Sequence, residues 1–468
     1  MTETISTLRE QIAKLFLPEN ARTLPIWLIG ADGQGMDALP PAARAWVKAA
    51  QWKPAPGQCL PTPGENGLGG AVMGVGDAAA GYAAALAAGG LAPNLPPGDY
   101  HLETPIASPE MTALAWALGE YHHHAYHSGE KRGARRLKPP SGAAVERALD
   151  VAQAVWLARD LINTPANDCG PAEIETAVRG VARVYGAQAT SIVGDDLLVG
   201  GFRLHHAVGR ASDRAPRLID LRWGDQGRKI TLVGKGVTFD TGGLNIKGGA
   251  SMALMKKDMG GAASALALAA MLMAARAPIR LRLLIPAADN VIASNAFRPG
   301  DVIESRAGVT VEIGNTDAEG RLLLADALHL ADEEAPDALI AIATLTGAAR
   351  VALGPDLPPF YTENESFAAA VADAGARVGD PLWRMPLWRP YESYLKSDVA
   401  DINNAGGNGF AGSITAALFL RRFVRKATTF AHFDIYGWTP RPAPGKPMGG
   451  EPQAARALFE AISTGALA

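Results

Sequence analysis

Three ionisable residues stand at every second position of the octapeptide NTDAEGRL (315–322): Asp317, Glu319 and Arg321. In an extended chain that spacing turns all three toward the same side. The next residues, LLLADALHLADEEA, have a helical pattern, so the trio sits where a strand or loop enters a helix. Two acids and a base so placed form either a surface ion pair or part of a reaction centre.

A second set of candidates follows another apolar run. RKITLVG leads into KGVTFDTGG (235–243), which carries Lys235 and Asp240, and Lys247 and Asp258 come soon after. Val309–Ile313 leads into the octapeptide, and IAIATL leads into Thr346 and Gly347. Ligands in open α/β sheets collect at the carboxyl ends of strands, which favours a site over a surface pair.

If Asp240, Asp258, Asp317 and Glu319 converge, they repel strongly and cannot all stay ionised without compensating cations. Lys247 and Arg321 supply about half of that compensation, and divalent metal ions can supply the rest. Lys235 is the odd member, because an ammonium cannot ligate. A buried lysine beside metal charge can lose its proton and become a neutral nitrogen ligand. The glycines of GKG and DTGG let the backbone bend tightly there. A pair of metals can hold a water as hydroxide, polarise a carbonyl and bind a free amine. That describes hydrolysis at the amino terminus of a peptide.

The elements that must position these residues alternate between strand and helix. PIWLIG and AVMGVG read as strands, and AGYAAALAAGG and MTALAWALGEYHHHAYH as helices, which predicts a small α/β domain over 1–140. KRGARRLKPPSG (131–142) breaks the rhythm and reads as a linker. AAVERALDVAQAVWLARDLIN reads as a long helix joining two domains, within 141–165. Over 166–468 the strands RLIDLRW, RKITLVG, IRLRLLIPAA, DALIAIATL and TFAHFDIYG are separated by helices such as MGGAASALALAAMLMAA. The expectation is a larger α/β catalytic domain with a mixed, mostly parallel central sheet.

The bulk numbers agree with a globular chain and narrow its class. Of 468 residues, 48% are hydrophobic and 19% charged, with a net charge of −3 that gives no basic balance for nucleic acid. Two cysteines, Cys59 and Cys169, can build neither a disulfide framework nor a thiolate metal site, which suits a reducing cytoplasm. MTETISTLREQIAKLFLPEN lacks the apolar core of a secretory signal, and AASALALAAMLMAA is too short and alanine-rich to cross a bilayer. A cytoplasmic protein with no membrane partner is expected.

VGKGVTFDTGGLNIK, KKDMGGAA and NTDAEGRL, in this order, resemble the signature segments of the leucyl aminopeptidase (cytosol aminopeptidase) family of two-metal metallopeptidases. LINTPAND, ATLTGA and VADINN…GSITAALFL extend the resemblance over about Asp160 to Asp434. Before residue 140 it is architectural, toward a macro-like domain. The resemblance implies that Lys235, Asp240, Asp258 and Glu319 bind one divalent ion and that Asp240, Asp317 and Glu319 bind the other. Asp240 and Glu319 then bridge, and Asp317 adds its backbone carbonyl. It implies that Lys247 stabilises the oxyanion, that Arg321 holds a bicarbonate acting as general base, and that Asp258 helps receive the substrate amine. Met255, Thr344, Leu345 and Gly347, with Ala348, would line the pocket for the first side chain. The metals would be Zn or Mn, with Mg or Co also accommodated. The substrates would be short peptides, and the assembly a homohexamer.

Other motifs read as structural. In YHHHAYH (121–127), His123 and His127 would share a helix face and could hold a metal, but a surface or a subunit contact is the simpler reading. His329 reads as a packing or surface residue. AVMGVGDAAAG resembles a glycine-rich nucleotide turn, a weak pattern taken as structural. Near the carboxyl end, Gly449-Gly450-Glu451-Pro452-Gln453 departs from the family pattern and leaves the preference for leucine open. Three alternatives accompany the main reading: an added DNA-binding regulatory role through KRGARRLK, a narrow dipeptidase, and a two-metal phosphoesterase.

Overall fold

The computed structural model describes residues 4–465 except 56, 66, 77–80, 105–107, 129–132 and 407–408, and for 81–84 it describes the backbone alone. The amino-terminal part is built on five strands, β1 (Leu24–Gly30), β2 (Cys59–Gly64), β3 (Gly67–Gly76), β4 (Gly98–Leu102) and β5 (Arg135–Leu137). They form one mixed sheet in the order β2-β3-β1-β4-β5. Alternate residues of β1 serve two cores, as a period of two requires. Ile26 and Leu28 pack with Ile5, Leu8 and Ile12, while Trp27 and Ile29 pack with Leu39, Ala43 and Val47.

Three expectations change here. Part of the predicted linker is strand β5, which runs parallel to β4. Leu137 is fully buried and Arg136 pairs with Asp99 at 2.7 Å, so the stretch has a sheet to join. AGYAAALAAGG forms a 3-10 helix, Gly81–Gly90. The predicted histidine-bearing helix stops at Gly119, which packs directly on Gly89. Residues 121–127 are not helical, so His123 and His127 share no helix face. Instead, Tyr121 donates to Asp160 Oδ1 (2.7 Å) and His123 Nδ1 faces the same oxygen (3.5 Å). Residues 77–80 of the glycine-rich turn and 131–132 of the basic run lie outside the described residues.

The helix Val145–Asn163 is buried along nearly its whole length. Trp156 Nε1 donates to Ala117 O (3.1 Å) on the amino-terminal side, and Arg159 pairs with Glu451 near the carboxyl end.

The carboxyl-terminal part continues with β6 (Gln188–Val193), β7 (Arg217–Trp223), β8 (Arg228–Gly234), β9 (Gly236–Asp240), β10 (Ile279–Asn290), β11 (Val302–Glu304), β12 (Thr310–Glu312), β13 (Ala338–Ala343), β14 (Pro359–Thr362), β15 (Trp383–Arg384), β16 (Ile402–Asn403) and β17 (Thr429–Asp434). The large sheet runs β15-β14-β17-β13-β8-β10-β7-β6, with β9 also beside β10. Its centre, β17, β13, β8 and β10, is parallel, while β14 and β7 flank it antiparallel. All six residues of β13 are buried. Ile340 and Ile342 face the helix Gly260–Ala274, and Leu339, Ala341 and Ala343 face the helices Gly320–Asp332 and Gly412–Arg421. Both faces are covered, which is why these strands read as continuous apolar runs.

Val309–Ile313 does not join this sheet. Its core is β12, which lies with β11 and β16 in a separate three-stranded sheet. β12 is three residues long and buries only Val311, unlike the fully buried β13 and β17 of the large sheet. Among the described residues, no helix is long and apolar enough to cross a membrane.

Candidate active site

Lys235 interrupts what would otherwise be one strand. β8 ends at Gly234, β9 begins at Gly236, and β10 runs beside both. At the break, Lys235 N–H donates to Ile342 O (3.0 Å), and its carbonyl accepts from Ala262 N (2.8 Å). The backbone is pinned on both sides and the side chain is buried. Its Nζ lies 2.6 Å from Asp258 Oδ2 and 3.0 Å from Glu319 Oε1, and donates to Thr344 O (2.9 Å). Gly320 must stay small, because any side chain there would strike the lysine stem.

Asp240 ends β9. Its Oδ1 accepts from Gly242 N–H and Asn290 Nδ2, both at 2.8 Å, which leaves Oδ2 facing Lys247 Nζ at 2.9 Å. Gly242 and Gly243 have φ of +86° and +61°. That left-handed turn brings the chain back so that Lys247 N–H reaches Thr241 O (2.9 Å). Lys247 Nζ also lies 2.5 Å from Asp317 Oδ1.

The octapeptide is not extended. Thr316 and Asp317 form a turn, and Glu319 (φ −72°, ψ −37°) is already helical as the chain enters Gly320–Asp332. Asn404 holds this turn: its Oδ1 accepts from Gly314 and Asn315 N–H (2.8 and 3.2 Å), and its Nδ2 donates to Asn315 O (2.8 Å). Thr316 Oγ1 donates to Gly242 O (2.7 Å) and accepts from Asn245 N–H (2.8 Å), which fastens the two loops together. The turn therefore does what strand alternation was expected to do. Asp240, Asp317 and Glu319 each offer a carboxylate oxygen within 4.8 Å of the others.

Asp258 lies in the 3-10 helix Met255–Met259 and joins the group through Lys235, while its Oδ1 accepts from Thr344 Oγ1 (2.9 Å). Arg321 takes its own place on the first turn of the helix. It is buried, with one amino group donating to Asn404 O (2.5 Å) and its guanidinium over Phe419 (6.0 Å), and its Nε has no partner. Met255 is half-buried and opens the 3-10 helix, and Gly347 is exposed at the start of the helix Gly347–Leu353. Leu345 and Thr346 donate their N–H groups to Asp434 Oδ1, both at 3.0 Å. His329 is half-buried on the helix Gly320–Asp332.

Charge decides what this cluster can do. Four carboxylates meet two ammoniums in direct contact, which leaves the protein groups net negative. Burial, reinforced by Asp240, raises Glu319 well above the usual carboxylate range even though Lys235 opposes it. Burial also raises Asp258 and Asp317. Burial disfavours the Lys235 ammonium, but Asp258, Glu319 and Asp240 outweigh it and hold that group protonated. Burial lowers Arg321 to about 10, which still leaves it cationic near neutral pH. A close set of oxygen ligands with surplus negative charge and a buried nitrogen alongside fits divalent ions.

Several residues of this arrangement receive no role from the sequence alone, although Asn245, Thr316 and Asn404 stand within its motifs. Asn290 ends β10, Asp434 ends β17, and Thr316, Asn245 and Asn404 tie the loops. Asn290 and Asp434 have one signal in the sequence: polar residues stand where apolar strands stop.

The model of the cytosol aminopeptidase family, catalytic domain, matches residues 156–459, and that of the M17 aminopeptidase N-terminal domain matches 21–139. The chain belongs to the cytosol aminopeptidase family. Members are metallopeptidases of the leucyl aminopeptidase type. A probable cytosol aminopeptidase of Desulfovibrio desulfuricans is 42% identical over 334 residues, 70% of this chain and 66% of the relative. One from a Geobacter species is 38% identical over 367 residues, 75% and 74% of the two chains. The crystal structure of cytosol aminopeptidase from Coxiella burnetii superposes with a TM-score of 0.90 at 45% identity, covering 97% of this chain and 99% of the other. The bottromycin maturation enzyme BotP in complex with Mn gives 0.86 at 32% identity, covering 95% and 100%.

The segment 449–453, where the sequence departs from the family pattern, has a packing role. β18 (Trp438–Thr439) pairs with β19 (Gly449–Gly450), Glu451 is buried against Arg159, and Gln453 Oε1 accepts from Tyr436 and Gly437 N–H, both at 3.0 Å.

Proposed function

We propose that this chain is a metal-dependent aminopeptidase that releases the first residue of short peptides in the cytoplasm. One observation carries the reading: Asp240, at the carboxyl end of β9, converges within 4.8 Å with Asp317 and Glu319 of the octapeptide turn, with Lys235 and Asp258 beside them. Lys235, Asp240, Asp258 and Glu319 would hold one divalent ion, and Asp240, Asp317 and Glu319 the other. Zn and Mn are the favoured identities, and BotP was solved with Mn. Bound there, the ions supply Lewis acidity to a carbonyl and acidify a water.

The chain's own groups do the rest. Asp258 lies beside the place where a substrate amine would enter, which restricts hydrolysis to chain ends. Lys247 has a flexible stem and can turn from Asp240 and Asp317 toward an oxyanion as charge grows on it. Arg321, with an unpartnered Nε, offers a planar fork for bicarbonate, which would take the proton from the attacking water. Met255, Thr344, Leu345 and Gly347 border the first side chain. The division into 1–140, 141–165 and 166–468 and a homohexameric assembly belong to the same proposal, on the family resemblance.

The test is hydrolysis of an amino acid amide panel after chelation and refilling with Zn, Mn, Mg or Co. Activity should vanish on chelation and return with at least one ion. Undiminished hydrolysis by metal-free protein would overturn the proposal.

A further inference from the structure

Two cations, Lys257 and Arg350, gather on the ring of Tyr436 beside the candidate site. Lys257 is 6% exposed, and its ammonium stands over the Tyr436 ring, 4.7 Å from the centroid. Arg350 approaches the same ring at 5.2 Å and donates to Tyr436 Oη (3.3 Å). Lys256 lies over Trp438 at 5.7 Å and donates to Asn163 O (2.6 Å). Among the described residues none of these three cations is in ion-pair contact with a carboxylate. Other buried cations such as Arg159 and Lys235 are paired, with Glu451 at 2.8 Å and Asp258 at 2.6 Å, whereas Arg321 shares with Lys257 the lack of a carboxylate in contact. A buried ammonium with no carboxylate in contact would be stabilised by an entering anion.

The nearby acids are already committed. Asp434 accepts from the Leu345 and Thr346 amides and from Thr346 Oγ1 (2.6 Å). Asp258 is engaged by Lys235 and Thr344. The cations also border the right place. Lys257 follows Met255 by two residues on one 3-10 helix, and Arg350 follows Gly347 by one turn on one α-helix. Tyr436 lies between them, and the adjoining Gly437 packs on Thr344, since a Cβ there would come 2.9 Å from Thr344 Cγ2.

We infer that the pocket for the first residue receives an acidic side chain, with Lys257 and Arg350 as its specificity determinants, so that peptides beginning with Asp or Glu are preferred. This rests on the aminopeptidase reading and adds the substrate class. A carboxylate entering beside Tyr436 would meet an ammonium and a guanidinium whose aromatic contacts hold them in place. A lysine or arginine at the same position would be repelled.

The experiment compares kcat/KM of the metal-loaded full chain for the p-nitroanilides of Glu, Asp, Leu and Lys, at low and high salt. The acidic substrates should exceed leucine by about tenfold or more, and lysine should be poorest. The acidic advantage should shrink as salt rises. Lys257→Met should lower the acidic-to-leucine ratio by about tenfold, mainly through KM. Because Lys257 adjoins Asp258, the exposed Arg350→Ala is the second variant, with a loss of about threefold at unchanged metal content. A wild-type preference for leucine, or a ratio unmoved by both substitutions, overturns the inference. So does a loss confined to free dipeptides over their amides, which would assign the cations to the peptide's terminal carboxylate. Failure on every substrate with all four metals instead removes the aminopeptidase reading itself.

Discussion

Glu451 and Glu319 are both 1% exposed, yet their surroundings treat the charge differently. Glu451 sits at the seam between the long helix Val145–Asn163 and the β18–β19 hairpin. Its Oε2 accepts from Arg159 Nε (3.0 Å) and from an Arg159 amino group (2.8 Å), and Arg456 lies 3.8 Å from its other oxygen. Burial pushes that carboxyl up, but the two guanidiniums outweigh it and hold it below the usual range. Glu319 has one ammonium at 3.0 Å and two acids, Asp240 and Asp258, acting against it, and ends well above the usual range. The seam is electrostatically complete from the chain alone. The site keeps surplus negative charge that added cations would balance, and that difference sets a carboxylate that holds the fold apart from one proposed to serve chemistry.

Exchanging the two glutamates for alanine gives the largest contrast. Glu319→Ala should cut kcat/KM by about a thousandfold or more, since it removes a candidate bridging ligand. The urea midpoint of the metal-free protein should change little, because burial and the charges of Asp240 and Asp258 already disfavour the Glu319 carboxylate there. Glu451→Ala strands the Arg159 guanidinium in the interior and should destabilise by about 3–5 kcal/mol, with kcat per folded molecule nearly unchanged. If Glu319→Ala unfolds the chain while Glu451→Ala spares it, the distinction drawn here is wrong.

A smaller effect appears along the pH axis and has opposite signs at the two places. Glu319, Asp258 and Asp317 are raised, so the folded, metal-free chain binds more protons than the unfolded chain once pH passes about 4.5. Their contribution to stability is therefore fully present in acid and is lost as pH climbs toward the folded values. Glu451 is depressed, so its contribution is present above the ordinary carboxylate range and is lost as pH falls through the folded value. Filling the site with metal must expel the site's protons, so metal affinity should rise with pH over the window in which metal-free stability declines. Melting curves of metal-free and metal-loaded protein across pH 5–8 should converge at the acid end and part at the neutral end. Parallel curves would mean that the site carboxylates are ionised without metal.

How much of this was legible in sequence follows from how each residue is recruited. Lys235, Asp240 and the β8, β10, β13 and β17 strands were readable because buried parallel strands are uniformly apolar, so the polar residue that ends one stands out. Asp317 and Glu319 were found, but through a spacing argument that the turn at Thr316–Asp317 does not obey; their convergence comes from Asn404 and Thr316, which look like ordinary loop residues. Arg135–Leu137 read as linker because a short edge strand is indistinguishable from a basic turn until its partner β4 is in place. The histidine run read as helix because nothing local marks the stop at Gly119, where the chain is pressed against Gly89. The buried pair Arg159–Glu451 joins residues 292 positions apart and leaves no periodic trace.

Asn290 offers the finest test of where fold ends and site begins. It closes β10, is fully buried, and its Nδ2 donates to Asp240 Oδ1 (2.8 Å) and to Thr316 O (3.1 Å). Asp240 Oδ1 keeps a second donor in Gly242 N–H, so Asn290→Ala does not free the carboxylate; it removes one of two constraints on how that group is presented. A residue acting through Asp240 in this way should weaken metal binding by about ten- to a hundredfold. Its cost to the metal-free fold should be no more than about 1–3 kcal/mol, that of one buried hydrogen-bonded amide. Excess metal should then restore kcat, because the ligands themselves are intact. At the seam the corresponding change is Gln453→Ala, which frees the Tyr436 and Gly437 amides and should alter stability with no metal dependence. Activity of Asn290→Ala that stays low at saturating metal would make Asn290 a participant in the reaction rather than a support for Asp240.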